Sequence, residues 1–264
     1  MPTKHHISRA DQLFYGGAYD PTLFAINERN GVRFSPVSKV VLGSPIALAA
    51  NTLITAATST ELPNAATLTY TPASDGVSPV DSGSRPTLST INVGSGTVSV
   101  WPLDVARNVT AAATHASSVV AMTITITGYD SYLQKMVETL SIAATGTSQS
   151  AAGKKAFKYI SSIAITSAGN ATTNTLNMGW GNVLGLPFRL DKKSDLMQAW
   201  FNDVLETTAP TIVLAVTSTP TATTGDVRGT VLLNSALNGS IVEMFIVPNP
   251  SSRTELLGVD QFGG

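Results

Sequence analysis

Val120-Ala121-Met122-Thr123-Ile124-Thr125-Ile126-Thr127 alternates apolar and small or hydroxylated side chains without a break. A strand points successive side chains to opposite faces, so Val120, Met122, Ile124 and Ile126 share one face while Thr123, Thr125 and Thr127 share the other. The first face belongs in a core and the second in water. Gly128-Tyr129-Asp130-Ser131 reads as a turn, and Gln134 to Ala143 then returns with Met136, Leu140 and Ile142 on the apolar side. The pair predicts an antiparallel hairpin.

The same punctuation runs from about Pro36 onward: short apolar or alternating runs separated by Gly, Pro, Asn, Asp and Ser clusters. It predicts further strands at Val37 to Leu42, Ala47 to Ala56, Ala66 to Thr71, Thr97 to Trp101, Asn108 to Ala112, Phe157 to Thr166 and Thr175 to Trp180. Thr211 to Thr217, Gly229 to Leu233 and Ser240 to Val247 complete the set, with Asn238-Gly239 as a tight turn between the last two. One helix is predicted, Ser194 to Leu205, capped by Ser194 and with Leu196, Trp200, Val204 and Leu205 near helical spacing; Asn202 and the flanking Asp residues weaken it in favour of a strand. Ser74 to Arg85 reads as a long surface loop. The fold class that follows is all-β, a β-sandwich or jelly-roll-like body over residues 37–250, with an extended N-terminal arm at 1–36 and a C-terminal tail at 251–264. A chain of 264 residues is long enough for a single sizeable β domain.

The arm is different in kind. Leu13, Phe14, Tyr15, Tyr19, Leu23 and Phe24 are interrupted by Gly16, Gly17 and Pro21 and fit neither a helical nor a strand period. An apolar, glycine-broken segment of this sort either caps the end of its own core or docks on a neighbour.

Charged residues make up 12% of the chain, against about a quarter in an ordinary soluble domain, so hydroxyls and small side chains cover the surface. Such surfaces are common in proteins that live packed against other proteins. A net charge of −1 with no basic run leaves no footprint for nucleic acid, and Lys192-Lys193 between Asp191 and Asp195 reads as a solvated turn or helix start. No run approaches the ~20 apolar residues of a membrane helix. The polar start lacks a secretory h-region, which makes cytoplasmic synthesis the expectation. Zero cysteine excludes disulfides, thiolate metal sites and cysteine nucleophiles.

The chemistry-bearing residues are few. His5-His6 lacks further ligands at metal spacing, and His115 stands alone, so neither a metal site nor a general base is expected. Gly94-Ser95-Gly96 resembles the start of a phosphate loop, but strand rather than helix follows it. Glu61, Asp104, Asp130, Glu138, Asp226 and Glu243 leave open a glycoside hydrolase built on two carboxylates, with Glu138, Asp226 and Glu243 as the residues to change. Surface carboxylates on strands and turns are the plainer reading. No catalytic residue, cofactor or metal is predicted.

Asn177-Met178-Gly179-Trp180-Gly181-Asn182-Val183-Leu184-Gly185-Leu186-Pro187-Phe188-Arg189-Leu190 resembles a segment of structural proteins of tailed-bacteriophage particles. So do Thr224-Gly225-Asp226-Val227-Arg228-Gly229-Thr230 and the closing Glu255-Leu256-Leu257-Gly258-Val259-Asp260-Gln261-Phe262. Among such proteins the chain resembles capsid decoration, or cement, proteins. The resemblance implies a non-enzymatic virion component, assembled in the bacterial host cytoplasm, that binds the major capsid protein and forms a homo-oligomer, with a trimer favoured. Nucleic acid and membrane are not expected partners. The aromatic arm, Leu13, Phe14, Tyr15, Tyr19, Leu23 and Phe24, is the expected capsid contact. A β-rich tail or fibre adaptor is the alternative place in the particle.

Overall fold

The computed structural model describes residues 37–57, 62–72 and 86–247. The strands in chain order are β1 Ser38–Gly43, β2 Ala49–Ala57, β3 Thr67–Tyr70, β4 Ser89–Val93, β5 Gly96–Thr114, β6 Met122–Tyr129, β7 Lys135–Ile142 and β8 Ser148–Ala152. They continue as β9 Phe157–Thr166, β10 Thr175–Gly185, β11 Leu196–Phe201, β12 Val204–Leu205, β13 Thr211–Val213, β14 Thr230–Leu232 and β15 Val242–Ile246. Single 3₁₀ turns at Ala171–Thr173 and Lys193–Asp195 are the helical elements among the described residues. The protein is thus nearly all β.

The opening hairpin forms as its alternation demands. β6 and β7 pair antiparallel from Met122↔Ile142 to Tyr129↔Lys135, with Met122, Ile124 and Ile126 buried while Thr123 is exposed and Thr125 half-buried. Val120 departs from the expectation. It precedes the strand and is half-buried, because the Asn174 side chain takes both its backbone groups: Val120 N–H donates to Asn174 Oδ1 at 3.0 Å and Asn174 Nδ2 donates to Val120 O at 2.9 Å. The turn also starts later than expected. Gly128 and Tyr129 stay in the ladder, and Asp130 Oδ1 then accepts from Tyr132 N at 2.7 Å and Gln134 N at 2.9 Å.

Two sheets result. The large one runs β13-β14-β10-β5-β9-β6-β7, with β2, β3, β4 and β8 pairing onto β10, β9 and β5; the small one runs β1-β15-β11-β12. The long β5 merges the two strands expected at Thr97 to Trp101 and Asn108 to Ala112, and changes partner along its length from β4 to β9 to β10 and β8. One core fills the large sheet around Ile124, Ile163, Phe157, Met178 and Leu176. A second lies where the two sheets face each other, with Val40, Phe201, Val242 and Met244 meeting Val105, Leu184 and Val231, and a third, smaller one gathers Ile91, Val100 and Tyr129.

β10 is held on one side by β5 and on the other by β2, and Gly179 lies at the closest approach. A Cβ there would sit 1.7 Å from Ala49 O. Gly179→Ala must therefore move backbone, and is expected to lower unfolding free energy by about 1–3 kcal/mol. Chemical denaturation with an unchanged slope would check this.

Two further expectations are corrected. Ser194 to Leu205 is not a helix: after the turn at Lys193–Asp195 it forms the hairpin β11–β12, with Trp200↔Leu205 and Phe201↔Val204 paired. Asn202 and Asp203 take φ of +54° and +59°, the left-handed pair that a two-residue hairpin turn requires and that Asn and Asp tolerate. Asn238-Gly239 is a bend rather than a two-residue hairpin turn: Asn238 Oδ1 accepts from Ser240 N at 3.0 Å, Gly239 takes φ +92°, and no hairpin is closed there. β14 belongs to the large sheet and β15 to the small one, so the chain crosses between layers there.

Candidate interaction face and buried charge cluster

The small sheet turns Val40, Ala199, Phe201, Val242, Met244 and Ile246 inward. Alternation then puts Lys39 and Val41 of β1, Glu243 and Phe245 of β15, and Gln198 and Trp200 of β11 on the other side. The ladder sets them in two rows across the sheet: Val41, Glu243, Trp200 and Leu205, and beside it Lys39, Phe245 and Gln198. Lys39 Nζ bridges the rows to Glu243 Oε1 at 2.7 Å, and Trp200 Nε1 donates to Gln198 Oε1 at 3.3 Å. Met197 and Val204 at the sheet rim are 57% and 64% exposed. Apolar and aromatic side chains clustered on an outer sheet face, with few charges, are the composition of an interaction surface rather than of a solvated one. Ser38 pairs with Ile246, so Val37 and Val247, the first and last described residues, lie at the same end of this sheet.

The second feature is inside. Asp130, Glu138, Lys155, Asp226 and Arg228 are each at most 3% exposed, and they meet where the segment leading into β14 crosses β7 and the entry to β9. Glu138 occupies an inward position of β7, between Met136 and Leu140. Its Oε1 accepts from the backbone N–H of Lys154 and, at 3.2 Å, of Lys155. Its Oε2 has no hydrogen-bond partner. Asp226 Oδ2 accepts from Ala156 N at 3.1 Å and Oδ1 from Arg228 N at 2.9 Å. The Arg228 guanidinium donates to Asp130 and stacks 4.8 Å from the Tyr132 ring, whose hydroxyl donates to Pro187 O at 2.8 Å. Burial pushes the Glu138 carboxyl up to about 7, against the pull of the two backbone donors and of Lys155, with Asp226 adding a smaller push upward. Burial also lowers the Lys155 ammonium, opposed by Glu138 and Asp226.

Of the carboxylates considered for hydrolysis, the fold brings Glu138 and Asp226 together but sinks both beneath the surface, and holds Glu243 on the other sheet with Lys39. Asp104 pairs with Arg107. Glu61, His5, His6, the arm residues Leu13 to Phe24 and the loop Ser74 to Arg85 lie outside the described residues. His115 Nδ1 accepts from the backbone N–H of Ser117 and Ser118, both at 3.0 Å, which makes it a turn residue. Gly94-Ser95 is the two-residue turn joining β4 to β5, not a phosphate loop. Lys192 and Lys193 sit in the turn closed by Asp195, as expected. Lys155 was missed as a site residue, and so was the grouping of Glu138 with Asp226; a glutamate at an inward position of an alternating strand is the signal that marks Glu138. Among the described residues no group of acidic and histidine side chains is placed to hold a metal, and no helix is long and apolar enough to cross a membrane.

Comparison of the chain with protein-family models, with curated proteins and with solved structures finds no match.

Proposed function

We propose that this chain is a non-enzymatic auxiliary capsid protein of a tailed bacteriophage, which binds the major capsid protein lattice and reinforces the shell. The observation that carries the reading is the outer face of the small sheet, where Val41, Trp200, Leu205 and Phe245 are gathered on the sheet whose β1 starts at Ser38. The low charge of the chain and the virion-like segment Asn177 to Leu190 support it. Packed DNA pushes outward on a shell, and a protein bridging several subunits adds buried interface without changing their fold. Many symmetric copies then make weak single contacts collectively strong.

In this reading Leu13, Phe14, Tyr15, Tyr19, Leu23 and Phe24 are the anchor, since aromatic side chains carry most of the energy in protein interfaces. Removal of residues 1–30 is expected to leave a body that melts cooperatively but no longer co-sediments with shells lacking the protein. Unfolding of the truncated chain would place the arm in its own core. Normal shell binding would move the anchor to the β surface, where Trp200→Glu becomes the variant expected to abolish it.

A further inference from the structure

We propose that residues 217–225 form a strap that a proton on Glu138 keeps closed over the edge of β7, and that loss of this proton lifts it. The segment is mostly exposed and carries no charged side chain. Its two ends meet at the body, where Val216 N donates to Asp226 O at 3.0 Å. Between them it crosses the outer edge of β7: Ala222 O accepts from Thr139 N at 2.7 Å, and Thr223 O accepts from Lys154 Nζ at 3.5 Å. Asp226, at the foot of the strap, reaches inward to take Ala156 N at 3.1 Å.

That foot stands beside Glu138. The two carboxyl groups hang on consecutive amides of the turn between β8 and β9, Glu138 Oε1 on Lys154 and Lys155, Asp226 Oδ2 on Ala156. Gly153 closes another side, since a Cβ there would lie 2.4 Å from Glu138 Oε2, and that oxygen has no hydrogen-bond partner. A neutral carboxyl fits this site. An ionised one sets a second negative charge near Asp226, with one oxygen unsatisfied and no water to solvate it. Lys155, from the same turn, pulls toward the charged form, while the Lys154 ammonium turns out to Thr223 O and Arg228 donates to Asp130. Burial outweighs that pull, and the carboxyl stays neutral up to about 7. Above that value the strain falls on the part that is held least. The turn is fixed to β5 by Gly153 N on Val109 O at 2.8 Å, and β7 is paired along its length with β6, whereas the exposed strap is held to β7 by the Thr139 bond. Withdrawing Asp226 removes the like charge and admits water to Oε2. The closed form thus holds the proton more tightly than the open one, in which the carboxyl returns toward its ordinary value. Opening is expected to rise with pH, by at most about tenfold per unit, until about 7 and to level off above it.

The test is hydrogen exchange of the full chain from about pH 5 to 8, read at the Thr139 and Ala156 amides, whose acceptors both belong to the strap and its foot. Each rate is divided by the intrinsic rate at that pH. Both amides are expected to lose protection together up to about 7, while the amides of β6 and β9 in their shared ladder keep theirs. Glu138→Gln keeps the acceptor and cannot ionise, so it is expected to hold the low-pH protection throughout. Wild-type protection that does not change with pH overturns the proposal. So does a step that persists in Glu138→Gln. Where that variant fails to fold, the wild type decides alone: a loss confined to Thr139 and Ala156 supports the strap, and an equal loss in β6 and β9 shows the whole body loosening and overturns it.

Discussion

Arg228→Met is expected to lower the unfolding free energy by about 3–5 kcal/mol, the cost of leaving one member of a buried ion pair without its partner. Arg228 and Asp130 are each buried to within 3% of full coverage, and the guanidinium also covers the Tyr132 ring at 4.8 Å. Methionine keeps much of the volume but strands the Asp130 charge away from water. Asp130 cannot move to solvent without releasing Tyr132 N and Gln134 N, which its Oδ1 holds at the β6–β7 turn. The double variant Asp130→Asn with Arg228→Met separates charge from packing, because asparagine keeps the Oδ1 acceptor and discards the charge. More than half of the lost stability is expected to return. A double variant as unstable as the single one would show that packing of Arg228, not the stranded carboxylate, carries the effect. Denaturant titration of the three proteins measures it.

The strands that were legible in sequence are those whose burial is one-sided. β6 announces itself because Met122, Ile124 and Ile126 face a core while Thr123 and Thr125 do not, and a one-residue slip would reverse both sets. The misread segment, Leu196 to Leu205, fails for a definite reason. Leu196, Trp200 and Val204 are spaced by four, and four residues return to the same side in both a helix and a strand. Asn202-Asp203 held the deciding signal, two adjacent residues that tolerate positive φ. β4 and β8 were missed because Ser89–Val93 and Ser148–Ala152 are short and, in the case of β8, carry almost no apolar side chain; they exist because β5 offers them a ladder. The buried cluster was half legible. Glu138 violates the inward pattern of its strand, but nothing local ties it to Lys155, which meets it from the turn between β8 and β9, or to Asp226, which arrives on the segment crossing β7.

Arg107 makes the same point about pattern and position in the middle of β5, and Arg107→Lys is expected to cost about 2–3 kcal/mol despite keeping the charge. The side chain is fully buried, and its fork is used in every direction: Nε donates to Gly181 O at 2.8 Å, Nη1 and Nη2 each to Ile46 O at 3.1 Å, and Nη1 to both oxygens of Asp104 at 2.9 and 3.1 Å. Trp180 lies 5.9 Å from the guanidinium carbon. One planar group thereby joins the segment before β2, the irregular stretch of β10 and β5 itself. A lysine ammonium is a point donor on a flexible stem and cannot reach Gly181 O, Ile46 O and Asp104 at once. At least one buried carbonyl is left without a donor, at about 1–3 kcal/mol for each such group. Asp104 softens the loss, since it is partly exposed and also accepts from Ile46 N at 2.8 Å, so the penalty should fall short of that for Arg228→Met. Equal penalties for Arg107→Lys and Arg107→Met in denaturant titrations would show that the geometry of the fork, rather than the charge, is what β5 requires. A penalty for Arg107→Lys below about 0.5 kcal/mol, the range of an ordinary surface change, would show that water replaces the missing donors.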